Sequence, residues 1–321
     1  MSERHSLEGR LVRLVRSPRA RIAALAATFA LVTAATCLVA YPAMFSGFAP
    51  YDDEGYLLIS LRSFLDHGSL YDEVFTQYGP FYYELWGGAF SLVGAAVSHD
   101  NGRLATLVAW ILASLAVGVS TYRLTRSVLL GLSAQMLAFA TLESLTKEPM
   151  LAGGLTCVLV ALVLLTSTFV RGRSAKPAIS LLGGAIAAVL LVKVNVGVFA
   201  LAALALACSV SYPVAARTWV RSAVAAGFVL TPAVLMAGQL EKGWVQDFCL
   251  HVTAAAVPVA LLLNGRGWRS ARDPAELRWL AAGLLGTAFA ICFVAVLTGT
   301  SLAGLFEGVG LDPEAKSPWS A

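Results

Sequence analysis

The sequence predicts an all-α polytopic membrane protein, a bundle of about nine spanning helices. Of its 321 residues, 58% are hydrophobic and 13% are charged, whereas a soluble domain carries about 25% charged residues. Residues 22–44 form an uncharged apolar run of 23 residues, and a helix needs roughly 17 to 25 such residues to cross a bilayer. A signal-peptide core has only about 7 to 15. We therefore predict that this first run is a retained span.

The remaining apolar runs predict eight further spans: 104–122, 127–142, 149–170, 177–192, 194–213, 222–240, 248–264 and 279–298. Residues 81–97 form one more run, but it contains Glu84 and three consecutive aromatic residues. If this run does not cross, the inner segments hold 17 of the 23 Lys and Arg residues and the outer segments hold 15 of the 19 Asp and Glu residues. This distribution follows the positive-inside rule. We predict an inner amino terminus, an outer carboxyl terminus, and an interfacial helix over 81–97.

These boundaries divide the chain into a basic cytoplasmic tail (1–21), a transmembrane domain (22–298) and a polar outer tail (299–321). The first outer loop, residues 45–103, is the longest stretch without a span, and loops of this length are usually functional or disordered. Between Tyr56 and Asp66 the apolar residues recur at helical spacing. The loop is therefore predicted to hold two helices that lie along the membrane.

Three consecutive acids, Asp52, Asp53 and Glu54, precede the first of these helices. An acid at a helix amino terminus stabilises it by capping and through the helix dipole, but one acid satisfies that need. Three acids beside anionic lipid headgroups repel them, which favours a functional role. Repulsion within the cluster is expected to raise the pKa of at least one carboxyl and to make it a better base near neutral pH.

Three ordered motifs follow the first span: Tyr-Asp-Asp-Glu-Gly-Tyr at 51–56, Gly-Ser-Leu-Tyr-Asp at 68–72 and Tyr-Gly-Pro-Phe-Tyr-Tyr at 78–83. The set resembles the GT-C superfamily of polyprenyl-phosphate-dependent glycosyltransferases, especially family-39-like protein mannosyltransferases and bacterial aminoarabinose transferases. The resemblance covers about residues 10 to 200. It implies juxtamembrane helices in the first outer loop, a catalytic acid in the Asp-Glu pair and a second acid in the next outer loop.

The resemblance implies inverting transfer of a sugar from a polyprenyl-phosphate donor to an acceptor hydroxyl at the outer membrane face. Asp53 would be the general base, which typically contributes 10²- to 10⁴-fold, with Glu54 positioning it or the acceptor and Asp52 as a further neighbour. Glu148 would be the second acid, with Glu143 as the other candidate. The acceptor can be a glycan, a lipid or a protein. The Ala- and Arg-rich composition fits the plasma membrane of a bacterium with a GC-rich genome.

This reaction also needs positive charge at the departing phosphate. Lys193 interrupts an apolar stretch at a predicted outer turn, where it either extends to the interface or binds phosphate. Arg103 is either an interfacial anchor or a second phosphate ligand. Lys147 lies beside Glu148 and forms either a surface ion pair or a further contact with the phosphate. Tyr56, in the first motif, is the remaining predicted substrate contact.

Several classes of site are excluded by pattern. The five cysteines lie inside apolar runs without metal or disulfide spacing, and the chain has no Walker loop, dinucleotide fingerprint, HExxH or serine elbow. The inner basic segments are explained by topology, so we predict membrane lipids and no nucleic acid as partners. A divalent metal stays open, because the three acids offer oxygen ligands although consecutive positions cannot all face one ion.

Two alternatives remain. A transporter or flippase is disfavoured by spans that are nearly free of ionisable residues and by the absence of an internal repeat. A truncated, inactive glycosyltransferase homologue would also fit, because most members of the superfamily continue through further spans and many add an outer domain.

Overall fold

The computed structural model describes residues 18–46, 54–74, 76–143, 156–166, 175–212, 218–265 and 273–310. Within these ranges the chain is all-helical, as predicted, and forms no strand beyond one β-bridge between Leu70 and Val74. The helices are α1 (Pro18–Phe45), α2 (Glu54–His67), α3 (Pro80–Val93), α4 (His99–Thr125), α5 (Val128–Glu143), α6 (Thr156–Thr166), α7 (Lys176–Leu190), α8 (Val194–Ser211), α9 (Thr218–Leu235), α10 (Gly243–Gly265), α11 (Glu276–Leu297) and α12 (Leu302–Gly310).

Among the described helices, six are long and apolar enough to cross a membrane: α1, α4, α8, α9, α10 and α11. The three shorter apolar helices α5, α6 and α7 occupy the positions of the other three predicted spans. The membrane class of the protein is therefore supported by helix length and composition as well as by overall hydropathy.

Two further helices, α2 and α3, form where the sequence predicts the juxtamembrane pair. Each has 14 residues, which is about 21 Å at 1.5 Å per residue and too short for the roughly 30 Å bilayer core. Helix α3 ends earlier than the predicted 81–97, because Gly94 adopts a left-handed conformation (φ 65°) and its N–H bonds the carbonyls of Phe90 and Ser91. Glycine tolerates this conformation without steric cost and commonly ends helices.

A hydrophobic core joins α2 and α3 into the α2–α3 unit. Leu57, Leu61 and Phe64 of α2 pack against Tyr82 and Tyr83 of α3, all of them buried. The Tyr83 hydroxyl forms hydrogen bonds with Ser60 and Thr76, so the polar end of this ring is satisfied inside the cluster. The same core includes Val192 of the turn between α7 and α8, so it also joins the loop to the bundle.

Helices α7 and α11 pack closely against each other. A Cβ atom on Gly283 would overlap the Ser180 carbonyl, and one on Gly184 would lie 2.6 Å from the Thr287 hydroxyl. Small residues allow this close approach of two backbones, a common device in membrane bundles. Ser180 meets Gly283 and Gly184 meets Thr287, so residue numbers increase in the same direction along both helices. Helices α7 and α11 therefore run parallel.

Three segments meet at one end of the bundle: the α2–α3 unit, the turn between α7 and α8, and the residues after α11. The Gly79 N–H donates to the Val192 carbonyl over 2.9 Å, and the Leu70 N–H donates to the Thr300 hydroxyl over 3.1 Å. These are the segments that the sequence assigns to the outer side.

The carboxyl-terminal segment differs from its prediction. The sequence predicts a polar tail over 299–321, but residues 302–310 form the apolar helix α12. Ser301 caps it by accepting the Gly304 N–H. Nine residues with three glycines give a weak helix signal, and the contacts that stabilise α12 come from the distant α2–α3 unit. Residues 311–321 lie outside the described part of the chain.

Candidate functional site

Glu54 and Arg103 form a buried ion pair at the start of α2. The Arg103 Nε and Nη2 donate to the two carboxylate oxygens over 2.7 and 2.8 Å, and Nη1 donates to the Met44 carbonyl over 3.0 Å. The two residues are 1% and 3% exposed, respectively. Paired hydrogen bonds of this kind are among the stronger polar contacts in proteins. Arg103 thus joins the end of α1, the start of α2 and the first turns of α4.

The Glu54 carboxylate also lies 3.2 Å from Nδ1 of His99. Burial by itself would raise the pKa of Glu54, but the hydrogen bonds and charges of Arg103 and His99 hold this pKa below its ordinary value. The repulsion expected from the acidic cluster therefore does not raise the pKa at this position. The structure thus holds the Glu54 carboxylate in a buried ion pair. The positioning role predicted for Glu54 among the catalytic acids stays a prediction.

The same geometry bears on the prediction that Arg103 binds phosphate. Three of its nitrogens are directed at Glu54 and Met44, and its side chain is buried. The guanidinium is therefore engaged in holding the helices together and is not open to a lipid phosphate. The sequence pattern identifies the residue, whereas its partner lies 49 positions away.

Lys193 differs from Arg103 in its surroundings. Its ammonium nitrogen lies 5.1 Å from the centroid of the Tyr78 ring, at a distance typical of a cation–π contact. The Tyr78 and Tyr56 rings are 6.4 Å apart and tilted by 50°. Within the described residues Lys193 forms no ion pair, so its charge is available to an anion. Tyr56 is 38% exposed, which leaves this group accessible from outside.

The Gly79–Pro80 step fixes the backbone beside Lys193. A Cβ atom on Gly79 would overlap the Leu191 carbonyl, so only glycine permits this approach. The Phe81 N–H donates to that carbonyl over 3.0 Å, and Pro80 occupies the first position of α3, where its missing N–H costs nothing. The third sequence motif thus packs α3 directly against the turn that carries Lys193.

The second motif supports Tyr78 from the other side. Tyr71 adopts φ 66°, a left-handed conformation that is rare for a bulky residue, and its hydroxyl donates to the Tyr78 carbonyl over 2.8 Å. Burial, with smaller contributions from Tyr83, Cys292 and Glu84, raises the pKa of Tyr71 far above its ordinary value. The hydroxyl therefore keeps its proton and remains a donor.

The predicted site residues divide into three groups. Asp52, Asp53, Lys147 and Glu148 lie outside the described residues. Glu54 and Arg103 form the second group, and Lys193 and Tyr56 form the third, in which both lie near the Tyr78 ring. Helix α2 carries both Glu54 and Tyr56. In the described ranges no group of three or more His, Cys, Asp or Glu residues is arranged to hold a metal ion.

Two features were not predicted from the sequence as parts of a site. The first is Tyr78, which begins the third motif but has no role that the motif alone predicts. The second is Glu84 on α3, whose Oε1 is buried without a hydrogen-bond partner in the described structure. Burial raises the pKa of Glu84 from 4.5 to about 8. An acid inside an aromatic, apolar helix is the sequence signal for such a group.

An apolar groove of about 950 Å³ lies between α6, α7 and α11. Phe81 lines one end, and Lys176 and Trp279 line the other. From Lys176 to Ala188 the groove follows α7 for 12 residues, about 18 Å. Because the Phe81 N–H donates a hydrogen bond to the Leu191 carbonyl, this end of the groove lies next to the turn that contains Lys193.

Comparison with known proteins adds no relative. No protein-family profile, no curated protein and no solved structure matches the chain. A function for this membrane protein therefore has to be argued from its own residues and geometry.

Proposed function

We propose that the protein is a membrane glycosyltransferase of the GT-C type that moves a sugar from a polyprenyl-phosphate donor to an acceptor hydroxyl. The observation that carries this proposal is the Lys193 ammonium on the Tyr78 ring, without an ion pair to any described residue, beside the helix that Asp52 and Asp53 precede. Glycosyl transfer from a lipid phosphate requires a carboxylate base and a cation at the leaving group. The first outer loop supplies the carboxylates, and the turn between α7 and α8 supplies the cation.

In the proposed reaction, Asp53 takes the proton of the acceptor hydroxyl while its oxygen attacks the anomeric carbon. The bond from that carbon to the donor phosphate oxygen breaks, the phosphate leaves with the electron pair, and the configuration inverts. Lys193 stabilises the departing phosphate, with Tyr56 and Tyr78 beside it. The Glu54–Arg103 pair positions the start of α2. Glu148 and Lys147 stay as the predicted second acid and further phosphate contact.

The apolar groove supports a donor with a lipid chain. It begins at Phe81, which is hydrogen-bonded to Leu191, two residues before Lys193. Its length of about 18 Å is more than half of the roughly 30 Å bilayer core. An isoprenoid chain attached to a phosphate at Lys193 would therefore run into the groove rather than into water.

We further propose nine spans, α1 and α4 to α11, with the amino terminus inside and the active face outside the plasma membrane of a bacterium. The parallel packing of α7 and α11 supports this order, because three intervening helices that each cross the membrane make these two parallel. The pairs Ser180–Gly283 and Gly184–Thr287 advance in the same direction. The α2–α3 unit, the turn between α7 and α8 and the residues after α11 meet at one end of the bundle. Their common position also supports nine spans.

A transporter or flippase is the second candidate, and Glu84 is the observation that favours it. Acids buried near a membrane and titrating close to neutral pH are used in proton relays. The pKa of about 8 would allow Glu84 to exchange a proton during a transport cycle.

The decisive experiment measures incorporation of labelled sugar from a polyprenyl-phosphate donor in membranes. We expect Asp53→Asn to lower incorporation by at least about 100-fold, and Lys193→Gln to lower it by about 100-fold. Lys242→Gln, an exposed lysine in the turn between α9 and α10, is the matched control and should have no effect.

Unchanged incorporation with Asp53→Asn would remove the assignment of the base. Movement of the intact lipid donor across the membrane without sugar transfer would favour the flippase. Neither transfer nor movement in the wild-type protein would indicate an inactive homologue.

A further inference from the structure

We propose that α12 is a positioning element of the phosphate site. The helix holds Tyr78 in place, and Tyr78 in turn holds the Lys193 ammonium where an anion binds. This inference rests on the proposed function, because it concerns the phosphate assigned to Lys193. It gives a role in the site to a segment that the sequence shows only as a tail.

The first contact joins α12 to the second motif through its amino terminus. Asp72 accepts the Ser301 N–H over 2.6 Å and the Ser301 hydroxyl over 2.8 Å. Ser301 in turn caps the helix by accepting the Gly304 N–H. A carboxylate at this place satisfies free N–H groups and interacts favourably with the helix dipole. The Asp of the motif therefore fixes where α12 begins.

The second contact presses the α12 backbone against the motif. A Cβ atom on Gly304 would lie 2.6 Å from the Asp72 carboxylate, and one on Gly308 would overlap the Tyr71 ring. Gly304 and Gly308 are one turn apart, so they form one face of the helix. The opposite face exposes Leu302 and Phe306 (73% and 65%), which suits a helix lying in the membrane interface.

From Tyr71 the contacts continue to the cation. Gly308 packs against the Tyr71 ring, and the Tyr71 hydroxyl donates to the Tyr78 carbonyl. The Tyr78 ring in turn contacts the Lys193 ammonium. Tyr71 is held at a positive φ, a strained conformation that persists only where its surroundings impose it. Without α12 against its ring, Tyr71 would relax and release Tyr78. A displacement of about 1 Å at a reacting group can lower a rate 100-fold.

The test measures binding of decaprenyl monophosphate to the purified full-length protein in detergent micelles. Tyr71→Phe removes the bond to Tyr78 and keeps the ring, and Gly308→Ala pushes α12 away from it. We expect each to weaken binding about tenfold. The matched controls are Tyr82→Phe, which removes a buried hydroxyl donated to Leu57, and Gly286→Ala, whose Cβ would meet open space. Both should bind like the wild type.

Salt dependence separates positioning from a general loss of structure. Binding to a cation weakens as salt screens it, so the wild-type affinity should fall with ionic strength. Lys193→Gln removes this dependence. If Tyr71 acts through Lys193, Tyr71→Phe should flatten the salt dependence as well, whereas Tyr82→Phe should leave it as in the wild type.

The outcomes distinguish the two proposals. If the wild type does not bind the probe, or Lys193→Gln binds as tightly, the phosphate site itself is wrong. If Lys193→Gln binds weakly while Tyr71→Phe keeps wild-type affinity, or loses affinity with an unchanged salt dependence, α12 does not position the cation. Should Gly308→Ala fail to fold, Asp72→Asn, which weakens the contact with Ser301 at the start of α12, replaces it in the same assay.

Discussion

Glu54 and Lys193 lie in the same part of the molecule but carry their charges differently. The Glu54 carboxylate has nitrogen atoms of Arg103 and His99 within 3.2 Å, whereas Lys193 faces an aromatic ring. A buried, satisfied pair stabilises one arrangement of the backbone, and removing one partner typically costs 3 to 5 kcal/mol. An ammonium against a ring keeps its electrostatic attraction for an incoming anion. The first residue therefore supports structure, and the second can bind.

At the residue scale, Glu84 predicts a pH dependence of stability. Its carboxyl ionises near 4.5 when the chain is unfolded and near 8 when folded, so between these values the unfolded state binds fewer protons. Stability should therefore fall as pH rises through this window. In Glu84→Gln the melting temperature should vary less between pH 6 and pH 9, as measured by scanning fluorimetry in micelles.

Glu73→Gln is the matched control, because Glu73 is an exposed acid near the same helix. It should retain the wild-type pH dependence. Parallel curves for Glu84→Gln and the wild type would show that this carboxyl does not titrate in the window. Tyr71, which faces Glu84, keeps its proton throughout because its own pKa is raised far above its ordinary value.

The sequence identifies residues in the site better than it assigns their roles. Arg103 and Lys193 both stand out as outward cations in an apolar chain. Whether each is paired depends on contacts that local pattern does not contain: Glu54 lies 49 positions before Arg103, and Tyr78 reaches Lys193 through the packing of α3. Tyr78 was visible in a motif, but its ring acquires a role only when α7 and α8 are placed beside it.

At the element scale, the α7–α11 pair predicts an asymmetric response to small substitutions. Gly283→Ala would force a methyl group into the Ser180 carbonyl, and overpacking of this kind costs typically 1 to 3 kcal/mol. Gly286→Ala, one turn further along α11, meets open space and should be neutral or slightly stabilising because alanine favours helix. Unfolding in a titration with a denaturing detergent measures both. Equal stability of the two variants would contradict the close packing.

Helix α12 shows where element prediction fails. Long apolar runs reveal the spans because hydrophobicity accumulates over about 20 residues. Helix α12 has nine residues, and isolated helices of that length are marginal in water. Its stability comes from Asp72 and Tyr71, more than 200 residues earlier in the sequence, so no local window contains the signal.

At the scale of the whole molecule, the proposed topology predicts which positions face outside. Glu73→Cys and Lys242→Cys should react with a membrane-impermeant maleimide in intact cells, because both residues are exposed and the proposed topology places them outside. Arg126→Cys and Arg278→Cys, also at exposed positions but inside in the proposed topology, should react only after the cells are opened. Labelling of Arg126→Cys in intact cells, or opposite results for Glu73→Cys and Lys242→Cys, would overturn this order of spans.

The bond between Asp72 and Ser301 joins residues 229 positions apart, and this separation has a consequence for biosynthesis. At roughly 5 to 20 residues per second, the second motif leaves the ribosome many seconds before Ser301 exists. During that interval α3 to α11 are synthesised while Asp72 has no Ser301 to bind. The contacts of Asp72 and Tyr71 with α12 therefore form late, so the proposed phosphate site takes its final form only after α12 has been synthesised.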